Sequence, residues 1–304
     1  MLKLAVGIPT FMEASTIRQC VQSVLDSGID EVNIIVSDRS PNGESSVAIP
    51  DLLALPNVMF RSSGAALGLI NFCEAGEELL ALHPRAEGYA LLAGDDWWSG
   101  GLGEKCLTIL QTTCSDAVLP SFTWTSVNAE AFTTTRLNLS SPKYMRRLLS
   151  VLVRGVEHTQ PANLIYAVYG RLAFEQLIRE LRFIQKSTQH AMDVSLAFRM
   201  IQKFQFEDGS GAVVYRRASS GVDYASSRLS QSFQNPPNSI LTKFFRNRKI
   251  AAANIKSIAV VLPPPWNLKI CRLMLTAWWN TLSTFQFIVR KIYETVSTGL
   301  LNTK

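Results

Sequence analysis

Two adjacent carboxylates, Asp95 and Asp96, follow a short apolar run from Tyr89 to Ala93. Neighbouring carboxylates at a strand end repel each other unless a cation lies close by. Their oxygens select hard divalent ions such as Mg2+ or Mn2+, which keep several waters and bridge to substrate phosphates. The pair points to metal–diphosphate chemistry, although adjacent acids also suit a solvated loop or the cap of the following helix. Trp97 and Trp98 come directly after them and are out of place in a solvated loop.

Other chemistries are poorly supplied. The five cysteines, Cys20, Cys73, Cys106, Cys114 and Cys271, are scattered, with no C-x-x-C pair. That speaks against a zinc ribbon, a redox dithiol and a secreted disulfide framework. The three histidines, His83, His158 and His190, form no H-E-x-x-H, so a histidine-based metal site is not expected. His190 stands three residues before Asp193 and could meet a substrate, but nothing pairs with it in sequence and a surface role is the plainer reading. Gly100–Gly103 and Gly209–Gly211 do not fit G-x-G-x-x-G between a first strand and a helix.

The elements that would hold Asp95 and Asp96 can be read from hydrophobic spacing. Leu4–Ile8 is an apolar run closed by Pro9, a buried strand. Ile17, Cys20, Val21, Val24 and Leu25 share one helical face, with Ser15 or Thr16 as a cap and Gly28 at the end. Asn33–Ser37 reads as a second buried strand, and Asp38–Gly43 as a polar turn. Val58–Arg61 is a third strand. Leu69, Phe72, Cys73, Gly76, Leu79 and Leu80 line a second helix, Tyr89–Ala93 is a fourth strand, Leu102–Leu110 a third helix, and Ala117–Leu119 a short apolar segment. Strands alternating with helices predict an α/β fold with a mostly parallel sheet. The right-handed crossover rule puts the strand carboxyl ends, and with them Asp38 and Asp95–Asp96, on one edge, where ligands of open α/β sheets bind. Further on, Tyr144, Leu148 and Leu152, then Leu177 and Leu181, then Met192, Leu196 and Met200 are spaced by four as in helices. Ala212–Tyr215 reads as a strand, and Ser219–Asn238 as a linker.

The chain has 304 residues, 47% hydrophobic and 18% charged, with a net charge of +6, the composition of a folded protein of one large or two small domains. Residues 236–304 hold ten Lys or Arg and one acid, Glu294, so the basic character belongs to the tail. Leu273–Val289 is uncharged but short for a spanning helix and bracketed by Arg272, Arg290 and Lys291. Residues 240–292 are therefore expected to lie on an anionic membrane face, with packing on the core or a dimer contact as the alternative. No nucleic-acid reading motif is present. Met1–Phe11 does not read as a targeting peptide.

The order of these segments resembles a family 2 glycosyltransferase. Val6-Gly-Ile-Pro-Thr-Phe11, the helix at Ile17–Leu25 and Ile34-Ile-Val-Ser-Asp38 are similar to the opening of that family. Arg61–Asn71, with Gly68 in it, resembles its next turn-and-helix segment, and Tyr89–Trp97 its metal-binding D-x-D strand end. Ala162–Arg171 resembles the acceptor-side segment, Met192-Asp193 falls where the family has its catalytic base, and Tyr215-Arg216-Arg217 resembles the basic strand end that closes the site. The resemblance covers residues 3–217. It implies the GT-A fold, a three-layer α/β/α sandwich, over residues 1–235, with a nucleotide-sugar half at 1–120, an acceptor half at 121–235 and a helical basic region at 236–304.

The resemblance also implies roles. Asp96 would hold the metal and Asp95 would share it or contact the ribose. Asp38 would bond the nucleotide base. Pro9, Thr10 and Glu13 would floor the nucleotide pocket, Arg61 would stand on its nucleotide side, and Arg216 and Arg217 would clamp the diphosphate. Asp193 would be the base of an inverting transfer, or alternatively an N-cap. This chain departs from the family pattern in two places: Arg39 stands where a glycine is usual, and Gly94 stands in place of the first acid of D-x-D. The function so implied is a Mn2+- or Mg2+-dependent transfer of a sugar from a nucleoside-diphosphate sugar to a saccharide or lipid-linked hydroxyl in bacterial surface polysaccharide or glycolipid synthesis, and the basic tail adds the expectation that it works at the cytoplasmic face of the cell membrane. A non-catalytic GT-A-like scaffold is the main alternative. A nucleotidyltransferase would want a glycine-rich loop and a lysine after the first strand, which Pro9–Ser15 lacks.

Overall fold

The computed structural model describes residues 2–62, 69–125, 131–133, 139–141, 143, 160–187 and 192–217. The tail at 236–304, the linker, His158, His190 and the 144–152 helix pattern lie outside these residues. Two compact units divide the chain: Met1–Lys186 with Leu196–Asp223, and Ser187–Ser195 with Tyr224–Lys304. All described residues lie in the first unit except Ser187 and residues 192–195.

Strands β1 (Lys3–Thr10), β2 (Glu31–Asp38), β3 (Val58–Ser62) and β4 (Gly88–Leu91) are parallel neighbours in the order β3-β2-β1-β4. Beyond β4 the sheet continues through β8 (Val168–Tyr169), β6 (Ala117–Thr125), β9 (Phe206–Arg217) and β5 (Trp97–Trp98), with β7 (Ala131–Thr133) paired to β6. β8 is antiparallel to both β4 and β6, and β9 is parallel to β6. The carboxyl ends of β1, β2, β4 and β9 therefore share one edge, the expected place for a ligand.

The apolar runs end up where their spacing predicts. All but the first residue of β1 are buried, as are Ile34–Asp38 of β2, as befits strands covered on both faces. Helix α1 (Ile17–Leu25) buries Ile17, Cys20, Val21 and Val24. Thr16 occupies its N-cap position but makes no side-chain capping bond. The loop after Asp38 leads into two short helices, α2 (Glu44–Ala48) and α3 (Pro50–Leu53). α4 (Leu69–Leu82) covers β1 and packs on α6 (Arg171–Ser187) through Gly76, where an added Cβ would come within 2.2 Å of Ile178 Cδ1. Helix α5 is Leu102–Thr113.

Two elements exceed their sequence signals. β6 runs on to Thr125 because Pro120, which has no N–H to donate, falls at an irregularity: the register with β9 jumps from Pro120↔Gly209 to Ser121↔Val213. Trp97-Trp98 is a strand rather than loop. It pairs with Tyr215 and Val214, and the Trp97 ring stacks on Tyr215 with centroids 5.5 Å apart.

Helix α7 is Met192–Lys203, and Leu196 and Met200 are buried as their spacing predicts. It is tied to α6 by Glu180, a carboxylate 2% exposed that pairs with Arg199, takes Lys203 Nζ at 2.6 Å and accepts from Gln176 Nε2 at 2.7 Å. Burial pushes the Glu180 pKa up, but the bonds from Arg199, Lys203 and Gln176 outweigh it and hold it below the usual carboxylate value. A lowered folded-state pKa contributes stability above the unfolded value, about 4.3, that is lost as pH falls through the folded value. Glu180→Gln is expected to cost about 1–2 kcal/mol at neutral pH, moderated by the part-exposed cations. Urea titrations should show the gap to the wild type closing between about pH 5 and pH 3.

Candidate active site

The site is built where the parallel strands end. After β4 the chain stays beside β1, with Leu92 N–H donating to the Gly7 carbonyl and Gly94 N–H to the Pro9 carbonyl, at 2.9 and 3.1 Å. This carries Gly94, Asp95 and Asp96 past the end of β1. Thr10 pairs in register with Asp38 on β2. β9 delivers Arg216 and Arg217 to the same edge, since Trp97 pairs with Tyr215 immediately before them.

Asp96 is 1% exposed, and both of its oxygens are engaged. Oδ2 accepts from Arg216 Nε at 3.3 Å and Oδ1 from the Arg217 main-chain N–H at 3.1 Å. The Tyr166 hydroxyl also donates to this carboxylate. Burial raises the Asp96 pKa above the usual carboxylate value, and Arg216, the Arg217 N–H and Tyr166 only partly offset it. Arg216 extends the network: Nη1 donates to Asn163 Oδ1 at 2.9 Å, Nη2 to the Tyr166 hydroxyl at 3.3 Å, and the guanidinium lies 4.7 Å from the Tyr166 ring centroid. Burial works against its charge, but Tyr166, Asp96 and Asp95 raise its pKa. Tyr166 itself, buried and facing Asp96, Asp95 and Glu13, has its pKa raised despite Arg216. It stays a neutral hydroxyl that can accept from Arg216 while donating to Asp96. Arg217 reaches Gln19 Oε1 at 3.1 Å, with its guanidinium 5.4 Å from the Trp97 ring centroid.

Glu13, Asp95 and Asp96 act on the same surroundings. Besides Tyr166, all three raise the pKa of Cys20, already pushed up by complete burial, so that this thiol is no nucleophile. The packing at Gly94 accounts for one difference from the family that the sequence resembles. A Cβ there would lie 2.3 Å from Glu13 Oε2 and 2.8 Å from both Cβ and Oγ1 of Thr10. The space that a first acid would fill is taken by the Glu13 carboxylate, which arrives from the β1–α1 loop. Thr16 Oγ1 helps fix this contact by donating to the carbonyls of Gly94 and Glu13, at 3.0 and 3.1 Å.

Among the described residues no group of three or more His, Cys, Asp or Glu is arranged to hold a metal ion. The donor chemistry at this edge is nevertheless that of a hard cation. Asp95 is half-buried beside Asp96, and Mg2+ or Mn2+ sites of this kind use one or two carboxylates and complete the shell with substrate phosphates and water. A cation here would be held by Asp95, and by Asp96 only in place of Arg216 or the Arg217 N–H, and would be completed by substrate rather than by protein alone.

Asp38 is 0% exposed, and its oxygens accept from the main-chain N–H groups of Ser40 and Ser45, at 2.8 and 3.2 Å. In this structure it organises the loop that follows it. Arg39 turns away to α4, where it forms an ion pair with Glu74 and donates through Nε to Asn71 Oδ1 at 3.4 Å. Burial lowers its pKa, against an opposing influence from Glu78. Arg61, on edge strand β3, pairs with Glu78 at 3.4 Å and is 48% exposed; β2 lies between it and β1. Asp193 is the second residue of α7, inside the helix rather than at its N-cap; its side chain lies outside the described residues.

Sequence reasoning did not single out Asn163, Tyr166 or Asn71. Asn71, 4% exposed, staples the ends of β1 and β2: Nδ2 donates to the carbonyls of Thr10 and Ser37, at 3.3 and 3.1 Å, and Oδ1 accepts from Ser37 Oγ at 2.8 Å. Asn163 and Tyr166 lie in a 3-10 helix, Gln160–Tyr166, which precedes β8. Their only sequence signal is the acceptor-side segment to which they belong.

No family model and no curated protein matches this chain. Solved structures do. The crystal structure of S. aureus TarS 1-349 aligns with a TM-score of 0.56 at 10% identity, covering 92% of this chain and 90% of that one. The same protein in complex with UDP gives a TM-score of 0.53 at 10% identity, over 92% and 90% of the two chains. Its complex with UDP-GlcNAc gives 0.51 at 12% identity, over 88% and 73%. Likeness at such identity concerns the fold. With the mixed, mostly parallel sheet and the shared edge of strand ends, it shows that this chain has the GT-A fold.

Proposed function

We propose that this chain is an inverting glycosyltransferase that moves a sugar from a nucleoside-diphosphate sugar to a hydroxyl acceptor in surface polysaccharide or glycolipid synthesis. The observation that carries the reading is the buried Asp96–Arg216–Tyr166 cluster at the carboxyl edge of β1, β4 and β9. The TarS complexes with UDP and UDP-GlcNAc support it, since a protein of the same fold holds such ligands.

Breaking the bond between the anomeric carbon and the diphosphate leaves negative charge on the leaving group. Arg216, held in place by Asp96, Tyr166 and Asn163, and Arg217 beside Trp97 supply fixed positive charge for it. Asp95 and Asp96 would hold Mn2+ or Mg2+, which when bound stabilises the same charge as a Lewis acid. Thr10, Pro9 and Glu13 would floor the nucleotide pocket, and the resemblance gives Asp38 to the base and counts Arg61 among the nucleotide-binding residues. The acceptor hydroxyl needs a general base, and the resemblance assigns Asp193 to this role. The basic tail would bring the enzyme to the cytoplasmic face of a membrane. No helix among the described residues is long and apolar enough to cross one.

A non-catalytic binding protein is the second reading. It is favoured by the engagement of both Asp96 oxygens within the protein.

Thermal denaturation with UDP, GDP, dTDP and CDP, each with Mn2+, tests the proposal. A ligand at a hundred times its Kd adds about 2.7 kcal/mol of stability. One nucleoside diphosphate should raise the melting temperature by roughly 5 °C or more, and EDTA should reduce the rise. No response to any of the four would contradict a nucleotide-sugar site.

A further inference from the structure

Asn163 is 1% exposed, yet its amide nitrogen Nδ2 has no hydrogen-bond partner among the described residues. The orientation of the amide is not arbitrary. Oδ1 accepts from Arg216 Nη1 at 2.9 Å, and turning the group over would set its NH2 against the guanidinium, donor to donor. The NH2 is thus committed as a donor, and leaving a buried donor unsatisfied is costly. Arg216 cannot accept from it, and Tyr166 is already matched to Arg216 and Asp96. No acceptor for it remains among the described residues. Asn163 is joined through Arg216 to Asp96, and Arg216 is one of the two cations assigned above to the leaving diphosphate.

We infer that Asn163 Nδ2 is a diphosphate-reading donor that bonds a phosphate oxygen of the nucleoside-diphosphate sugar, a role in substrate recognition that goes beyond holding Arg216. This rests on the proposed function. An anion suits the position better than a neutral hydroxyl because the same side chain is bridged to Arg216. A fixed N–H then adds to the guanidinium without bringing a second desolvated charge.

Calorimetric titration separates the possibilities. The nucleoside diphosphate that binds the wild type most tightly is compared with its nucleoside, on wild type, Asn163→Ala and Asn163→Asp. The Asp variant keeps an acceptor for Arg216 and replaces only the NH2. The expected result is nucleoside diphosphate binding weakened roughly tenfold or more in Asn163→Ala, and further in Asn163→Asp, with nucleoside affinity unchanged in both. Circular dichroism establishes that the variants are folded, and Asn163→Ser takes the place of either one that is not. If the folded variants bind the diphosphate as the wild type does, or lose nucleoside and diphosphate binding equally, the donor role is overturned and the amide is a structural group that meets only buried water. If the wild type binds no nucleoside diphosphate, the proposed function fails and the inference fails with it.

Discussion

Arg216→Ala is expected to lower stability by about 2–4 kcal/mol and to reduce turnover by roughly two to three orders of magnitude. The stability loss follows from Asp96. This carboxylate is 1% exposed, and its nearest cation is a guanidinium only 18% exposed. Removing the guanidinium leaves a buried charge with the Arg217 N–H and the Tyr166 hydroxyl as its remaining partners. Two further partners, Asn163 and Tyr166, lose a donor at the same time. A double-mutant cycle isolates the pair. Asp96→Asn with Arg216→Met should cost less than the sum of the single changes, because the double variant buries no unmatched charge. Urea denaturation gives the stability term, and release of nucleoside diphosphate from the preferred donor gives the kinetic one. Full additivity would mean that the two side chains do not act as one unit.

Placing an acid at position 94, where the family that the sequence resembles has its first one, is expected to damage this protein. Gly94→Asp should destabilise it by about 3 kcal/mol or more, because the new Cβ meets Thr10 and Glu13 and the new carboxylate is buried beside an existing one. Glu13 Oε2 is the end of a flexible side chain and can move, whereas Thr10 Cβ lies against the β1 backbone and cannot move far. Adding Glu13→Ala to Gly94→Asp should therefore recover part of the loss but not all of it, read as the shift in denaturant midpoint. If Gly94→Asp is as stable as the wild type and binds nucleotide more tightly, Glu13 does not occupy the place of the missing acid.

These two cases show what could be read without a structure. The apolar runs at Leu4–Ile8, Asn33–Ser37 and Tyr89–Ala93 locate β1, β2 and β4 because strands covered on both faces must be continuously apolar. Once those strands are parallel, the placing of Asp38 and Asp95–Asp96 on one edge follows from the crossover rule. The same reasoning shows Gly94 as an absence and Arg39 as an anomaly, but not their resolution. Glu13 fills the place at Gly94 from 81 positions earlier in the chain, and Arg39 leaves the edge for Glu74 on α4. The pairing of Asp96 with Arg216 spans 120 residues, and no local periodicity carries such a contact. Asn163 and Tyr166 are hidden for a related reason: an Asn and a Tyr in a short 3-10 helix have no spacing signal, and their roles arise only when β9 brings Arg216 between them. Trp97-Trp98 was legible as odd. Its explanation, a two-residue strand against Tyr215, needs the distant β9 as well.

The most direct measurement is turnover. Purified protein is incubated with UDP-, GDP-, dTDP- and CDP-sugars, in Mn2+ or in EDTA, with and without saccharide or lipid-linked acceptors, and released nucleoside diphosphate is quantified. Asp96→Asn serves as the control, since it keeps the size of the side chain while removing the charge that Arg216 faces. Release is expected from one donor class, requiring Mn2+ or Mg2+ and falling at least a hundredfold in the control. Equal release in the wild type and Asp96→Asn, or no release from any donor together with no nucleotide-induced stabilisation, would contradict the assignment of this strand edge as a nucleotide-sugar transfer site.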